Sequence, residues 1–158
     1  MANESARQSH APTVKILHWI TAAIVIATFP IGLTMGDLTS GPFQNQMYNL
    51  HRSLGVVVIG LTALRLASRL VFGAPLPVAG MPRWQDAASR ATHIALYVLL
   101  FAVPLSGWLA TNAFGAPISV FGLFTLPVLI GRDRELAGTL FEVHEILAFS
   151  MAALFALH

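Results

Sequence analysis

Cysteine is absent from the 158 residues. Its absence excludes disulfides, iron–sulfur clusters and thiolate-ligated iron, and says nothing about redox compartment. Charge is nearly as scarce. Only 10% of residues are Asp, Glu, Lys or Arg, where a soluble domain carries about 25%. With 56% of residues hydrophobic, the solvent for most of the surface has to be lipid. A basic patch is also missing. The Lys and Arg residues are scattered, for a net charge of +2, which gives no reason to expect a nucleic acid partner; orientation in a bilayer accounts for them better. The first thirteen residues, MANESARQSHAPT, are polar and contain no short apolar core with a cleavage site. The apolar run after them therefore reads as a retained helix rather than a signal peptide.

Long apolar runs are what the chain has in place of charge. They extend roughly from Val14 to Met35, Gln46 to Phe72, Trp84 to Thr111 and Arg134 to the end, each long enough for the ~20 residues that cross a bilayer. The expected fold is an all-α integral membrane protein. It is an up-and-down four-helix transmembrane bundle, with residues 14–158 as one domain behind a polar tail over 1–13. GAPLPVAGMP, between spans two and three, must be a loop, and Gly41-Pro42 marks the first turn. The third connection, Asn112 to Gly131, contains Pro117 and Pro127 but no charge. It is too broken for a fifth span. It reads as an apolar segment in the membrane interface, with a lid over the bundle end as the alternative. Arg7, Lys15, Arg65, Arg69, Arg83 and Arg90 share the side of the N-terminus, and Arg52, Arg132 and Arg134 the other. Six against three places the N-terminus in the cytoplasm.

Histidine is the informative residue. His144 and His158 are fourteen residues apart in the last span, which is almost four helical turns and about 21 Å of axis. Both imidazoles therefore project from nearly one side, one near each face of the hydrocarbon core. Up-and-down topology puts His18 at the inner end of span one and His51 at the outer start of span two. Two depth-matched pairs follow, His18 with His158 and His51 with His144. Taken singly, each histidine is as well explained by a hydrogen bond to a neighbouring helix. Four of them in two pairs point to ligation, and neutral imidazole is a standard axial ligand of haem iron.

A flat porphyrin between helices needs small residues where backbones approach it. Gly55 lies one turn after His51. Gly32 follows His18 by fourteen residues, and Gly107 follows His93 by fourteen. Pro30 and Pro104 occupy similar places, in FPIG and VPLSG, which hints at a weak repeat of two helical hairpins. Glycines also serve plain helix packing. Arg52 suits the propionates of an outer haem, and Arg65, Arg69 and Arg90 are available to an inner one, although snorkelling explains most such arginines. His93, near the inner end of span three, has several open roles: replacing an inner ligand, bonding a propionate or a quinone carbonyl, or making an interfacial hydrogen bond.

In this order and spacing the residues resemble the bacterial cytochrome b561 family. The resemblance rests on His18-Trp19 opening span one, His51-Arg52 opening span two and His144-Glu145 ahead of His158. It also rests on the connection Gly115-x-Pro117-x3-Phe121-Gly122-Leu123-x3-Pro127. It covers Lys15 to His158. It implies a multi-pass protein of the bacterial inner membrane holding two haem b groups, with His18, His51, His144 and His158 as iron ligands. It further implies electron exchange with the quinone pool, ubiquinone being a substrate or a bound quinone, and membrane lipid as the surroundings. The best-defined activity of the family is oxidation of superoxide coupled to ubiquinone reduction. The alternative is a quinol-linked cytochrome serving a periplasmic redox partner. A histidine-lined metal or proton transporter would call for acidic residues at mid-membrane, and spans one, three and four have none. Family members continue past the last ligand into a polar tail, whereas this sequence stops at His158.

Overall fold

The computed structural model describes residues 11–72 and 82–158. Residues 1–10 of the polar tail, and GAPLPVAGMP apart from Pro82, lie outside them. The described chain forms helices α1 (Ala11–Thr34), α2 (Pro42–Phe72), α3 (Arg83–Phe114) and α4 (Arg134–Leu157), with strands β1 (Ser119–Val120) and β2 (Phe124–Thr125) between the last two helices. All four helices are long and apolar enough to cross a membrane, so the expected number of spans is met. The bounds differ from the hydropathy reading by a few residues. α2 opens at Pro42, whose missing N–H falls where a helix has no acceptor for it anyway.

Polar groups in the bundle are satisfied locally, as a bilayer demands. Thr21, Ser53 and Thr62 are fully buried, and each hydroxyl donates to the carbonyl four residues earlier, on Leu17 (2.6 Å), Asn49 (2.7 Å) and Val58 (2.7 Å). Helix α4 is capped by Asp133, whose Oδ1 accepts from the N–H groups of Glu135 (3.0 Å) and Leu136 (3.1 Å); that side chain fills two of the orphan donors of a helix start. Helix α3 ends on Gly115 at φ 91°, the left-handed position that favours glycine. A Cβ there would also meet the Arg132 side chain at 2.9 Å, so the chain entering α4 can fold back over the end of α3.

Packing is strongest between α3 and α4, followed by α1 with α2 and then α2 with α3. The mid-bundle core is Val58, Leu100, Val103 and Met151, flanked by Ile24, Val25, Leu99, Leu147 and Ala148. Leu70, Val71, Ile94, Val98 and Ile146 point outward and are exposed. An apolar surface on this scale suits lipid and not water.

The connection after α3 is more ordered than its sequence suggests. β1 and β2 pair antiparallel, Ser119 with Thr125 and Val120 with Phe124, around Phe121 (φ 50°) and Gly122 (φ 75°). Three side chains of the bundle hold this hairpin down. Ser53 Oγ accepts from the Phe121 N–H (2.9 Å), Asn112 Oδ1 accepts from the Leu129 N–H (2.8 Å), and Trp108 Nε1–H donates to the Pro127 carbonyl (3.2 Å). Ile118 and Val120 are 3% and 5% exposed, while Leu123 and Val128 are 80% and 71% exposed. The segment is therefore a lid on one face and an interfacial surface on the other, where the sequence favoured only the second. Replacing Ser53 by alanine leaves the Phe121 N–H without its acceptor, at a cost of about 1–3 kcal/mol. Amide exchange across 119–125 is then expected to quicken roughly ten- to hundredfold. Unchanged exchange would show that the hairpin is held elsewhere.

Candidate functional site

Two groups of imidazoles form, one under the hairpin and one at the opposite end. Under the hairpin, the rings of His51 on α2 and His144 on α4 have centroids 6.1 Å apart and planes at 86°. Two imidazoles on opposite sides of one metal ion, bound through nitrogens at about 2 Å, put their ring centres about 6 Å apart. Each ring is oriented by a backbone carbonyl of a neighbouring helix. His51 Nδ1 lies 3.2 Å from the Thr28 carbonyl on α1, and His144 Nδ1 lies 2.8 Å from the Val103 carbonyl on α3. A carbonyl oxygen only accepts, so Nδ1 carries the proton in both rings and Nε2 keeps its lone pair. That is the tautomer of a metal-binding imidazole, with its other nitrogen held by a hydrogen bond.

The cavity between these rings is about 430 Å³ and is lined by both histidines, Arg52, Gly55, Pro104 and Gly107, among others. This lies within the ~300–1,000 Å³ of typical cofactor sites. Ile118 of the lid closes one side of it. Arg52 lies with its guanidinium 5.4 Å from the centre of the Tyr48 ring, a cation–π contact that holds a positive charge at the rim. Glu145 also lines the cavity. Gly55 faces the Pro104 Cβ, 3.7 Å from where its own Cβ would be, and marks the approach of α2 to α3.

At the other end, His18 on α1 and His158 at the end of α4 have ring centroids 6.4 Å apart. His93 on α3 comes closer to His158, at 5.0 Å, short of the spacing for two rings on opposite sides of one ion. His93 Nδ1 donates to its own helix, at the Ser89 carbonyl (2.7 Å). Arg65 Nη2 lies 3.0 Å from His18 Nδ1. A guanidinium only donates, so this nitrogen of His18 accepts and the proton sits on Nε2. Ligation through Nε2 thus requires Arg65 to leave His18. Among the described residues the Arg65 Nε is buried with no hydrogen-bond partner, and its guanidinium lies 5.5 Å from the Tyr97 ring centre. An orphaned donor beside a candidate ligand fits an absent carboxylate, such as a haem propionate. The cavity here is about 80 Å³, lined by His18, Arg65, His93, Tyr97 and His158.

Val25 and Met151 line both cavities. Met151 falls midway between His144 and His158 on α4 and is 7% exposed, so a thin apolar layer separates the two ends.

All four expected ligands fall into the expected pairs, His93 joins the second group, and Arg52 and Gly55 line the first cavity. Arg90, a candidate from sequence, is instead engaged by Asp86 at 2.9 Å on the helix surface. Sequence reasoning did not find the Thr28 and Val103 carbonyls, the Tyr48 and Tyr97 partners of the arginines, or Ser53. The one available signal was the register of Gly32 and Gly107.

The family model for prokaryotic cytochrome b561 matches residues 9–158. Cytochrome b561 homolog 2 of Escherichia coli (strain K12) is 36% identical over 145 residues, covering 89% of this chain and 76% of that protein. Probable superoxide oxidase CybB of Yersinia pestis is 24% identical over 143 residues, covering 90% of this chain and 80% of that protein.

Proposed function

Because the chain belongs to the prokaryotic cytochrome b561 family, we propose that its two imidazole pairs hold two b haems that carry electrons between superoxide and ubiquinone. Membership makes the protein a multi-pass electron-transfer protein of the bacterial inner membrane and implies b-type haem. The finer reading is supported above all by one observation: two rings 6.1 Å apart across a large cavity, each with Nδ1–H tied to a carbonyl.

Bound haem, held by these histidines, would supply one-electron redox chemistry. The chain's own part is to bind, orient and insulate. His51 and His144 hold one group and His18 with His158 the other. Arg52 meets propionate charge at the first site, and Arg65 at the second, after releasing His18. The lid residue Ile118 keeps water from the first cavity. Val25 and Met151 keep the intervening layer thin and dry. The Lys and Arg bias gives the His51 end to the periplasm. Two superoxide anions give up one electron each and leave as dioxygen, and one quinone gains two electrons and two protons.

The superoxide donor is suggested by the printed name of the 24% identical relative. A second reading, a cytochrome taking quinol electrons to a periplasmic redox partner, is favoured by one of the two rim charges. Glu145 lines the first cavity, and a carboxylate there repels an anionic substrate. Purified protein given a superoxide source and a ubiquinone decides between them. Quinone-dependent loss of superoxide with quinol formation is expected. No quinone-dependent loss would discard the superoxide reading in favour of the partner reading.

A further inference from the structure

Laying α1 on α3 and α2 on α4 brings out a shared ruler. His18 to Gly32, His93 to Gly107, His51 to Arg65 and His144 to His158 all span fourteen residues. The two helical hairpins carry the same layout, and at the lid end they use it identically. The second helix of each hairpin supplies the imidazole. The first helix supplies the carbonyl that receives its Nδ1–H, Thr28 at 3.2 Å and Val103 at 2.8 Å. In both hairpins a glycine stands four residues beyond that carbonyl. On a helix this is the residue one turn along the same face, where a side chain would cover the route to the oxygen.

The space left by these glycines is filled by the rings. A Cβ on Gly32 would lie 2.8 Å from His51 Cε1 and 3.2 Å from Nδ1; one on Gly107 would lie 3.0 Å from both atoms of His144. Carbon atoms in favourable contact sit about 3.5–4.0 Å apart. Other helical glycines differ. Gly55 meets a proline carbon at 3.7 Å, and Gly60 and Gly138 meet nothing within 4 Å.

We propose that Gly32 and Gly107 are positioning residues for the two imidazoles, each opening the gap through which a ring reaches its carbonyl and thereby aims Nε2 across the cavity. The inference rests on the reading that His51 and His144 share an iron. The nearest atoms a methyl group at either position meets belong to a side-chain ring, which can swing. The ring yields, its Nδ1–H leaves the carbonyl and the aim of Nε2 is lost, while the bundle stays folded.

The test uses the full chain in detergent as Gly32→Ala and Gly107→Ala, with Gly60→Ala and Gly138→Ala beside them. The readouts are haem transfer to an excess of a haem-scavenging globin and the low-spin electron paramagnetic resonance signals, which report the angle between axial imidazole planes. Removing a support of a metal ligand typically costs ten- to a hundredfold in affinity. One haem is therefore expected to leave about ten- to a hundredfold faster from each of the first two variants. One low-spin signal should shift while the other stays, and the control variants should match the parent. Unaltered release and signals at both glycines overturn the proposal, as does equal weakening of both haems, which would mean general packing damage. A parent protein without haem, or a His51→Ala protein with full pigment, would instead sink the di-haem reading. Bleaching in His51→Ala with intact Gly32→Ala and Gly107→Ala would sink only the role given to the glycines.

Discussion

His144→Ala is expected to halve the pigment of the purified protein and to abolish quinone reduction by the periplasmic donor. The ring of His144 is one of two that meet across the 430 Å³ cavity. On the proposed reading its removal would leave the iron there with a single protein ligand, and a bis-imidazole site depends on both. The helix itself should survive. The Val103 carbonyl loses an extra donor, but Ser106 Oγ still bonds to it at 2.7 Å, so no buried polar group is stranded. His51→Ala should behave in the same way, since the Thr28 carbonyl lies on a continuous helix. The measurement is haem per chain with the reduced visible spectrum. About one haem per chain with the second group retained is the expected outcome for each variant. Two haems and an unaltered low-spin spectrum would remove His51 and His144 from the ligand set.

The opposite end gives the second large effect, because under the proposed di-haem reading three imidazoles compete there for two places. His158→Ala and His18→Ala should each release the second haem, while His93→Ala should keep both. The ring separations carry this expectation. At 6.4 Å, His18 and His158 can straddle one ion from opposite sides, and at 5.0 Å His93 and His158 cannot do so without moving. His93 is also anchored to its own helix through the Ser89 carbonyl. The bond from Arg65 to His18 cuts the other way, since it occupies the wrong nitrogen for ligation. If His93→Ala bleaches and His18→Ala does not, Arg65 keeps His18 and His93 is the ligand. Haem quantitation on the three variants separates the two arrangements.

Much of this was readable in the residues for a physical reason. Lipid imposes a length and a polarity that hydropathy registers directly, so the four spans follow from Val14, Gln46, Trp84 and Arg134 onward. Up-and-down topology then converts sequence position into depth, which is why His51 could be matched to His144 and His18 to His158 before any geometry was known. Facing was not legible in that way. Depth does not say that Nδ1 of His51 seeks Thr28, because a backbone carbonyl leaves no mark on residue identity. Only the empty place at Gly32 does so, and it looks like any packing glycine until the ring is seen in it. The lid was hidden for a related cause. Ser53 and Phe121 are far apart in sequence and neither is unusual, yet the hydrogen bond between them is one of three that turn an apolar connection into a cover. Arg65 was found as a rim charge, but its hold on His18 depends on rotamer and not on spacing.

The most direct measurement is the haem content of the full chain purified from membranes, by pyridine haemochrome and protein mass together with the low-spin resonance spectrum. Two b haems per polypeptide, both six-coordinate, are expected if each pair of imidazoles grips an iron. A colourless protein, or one whose iron shows no bis-imidazole signature, would contradict it.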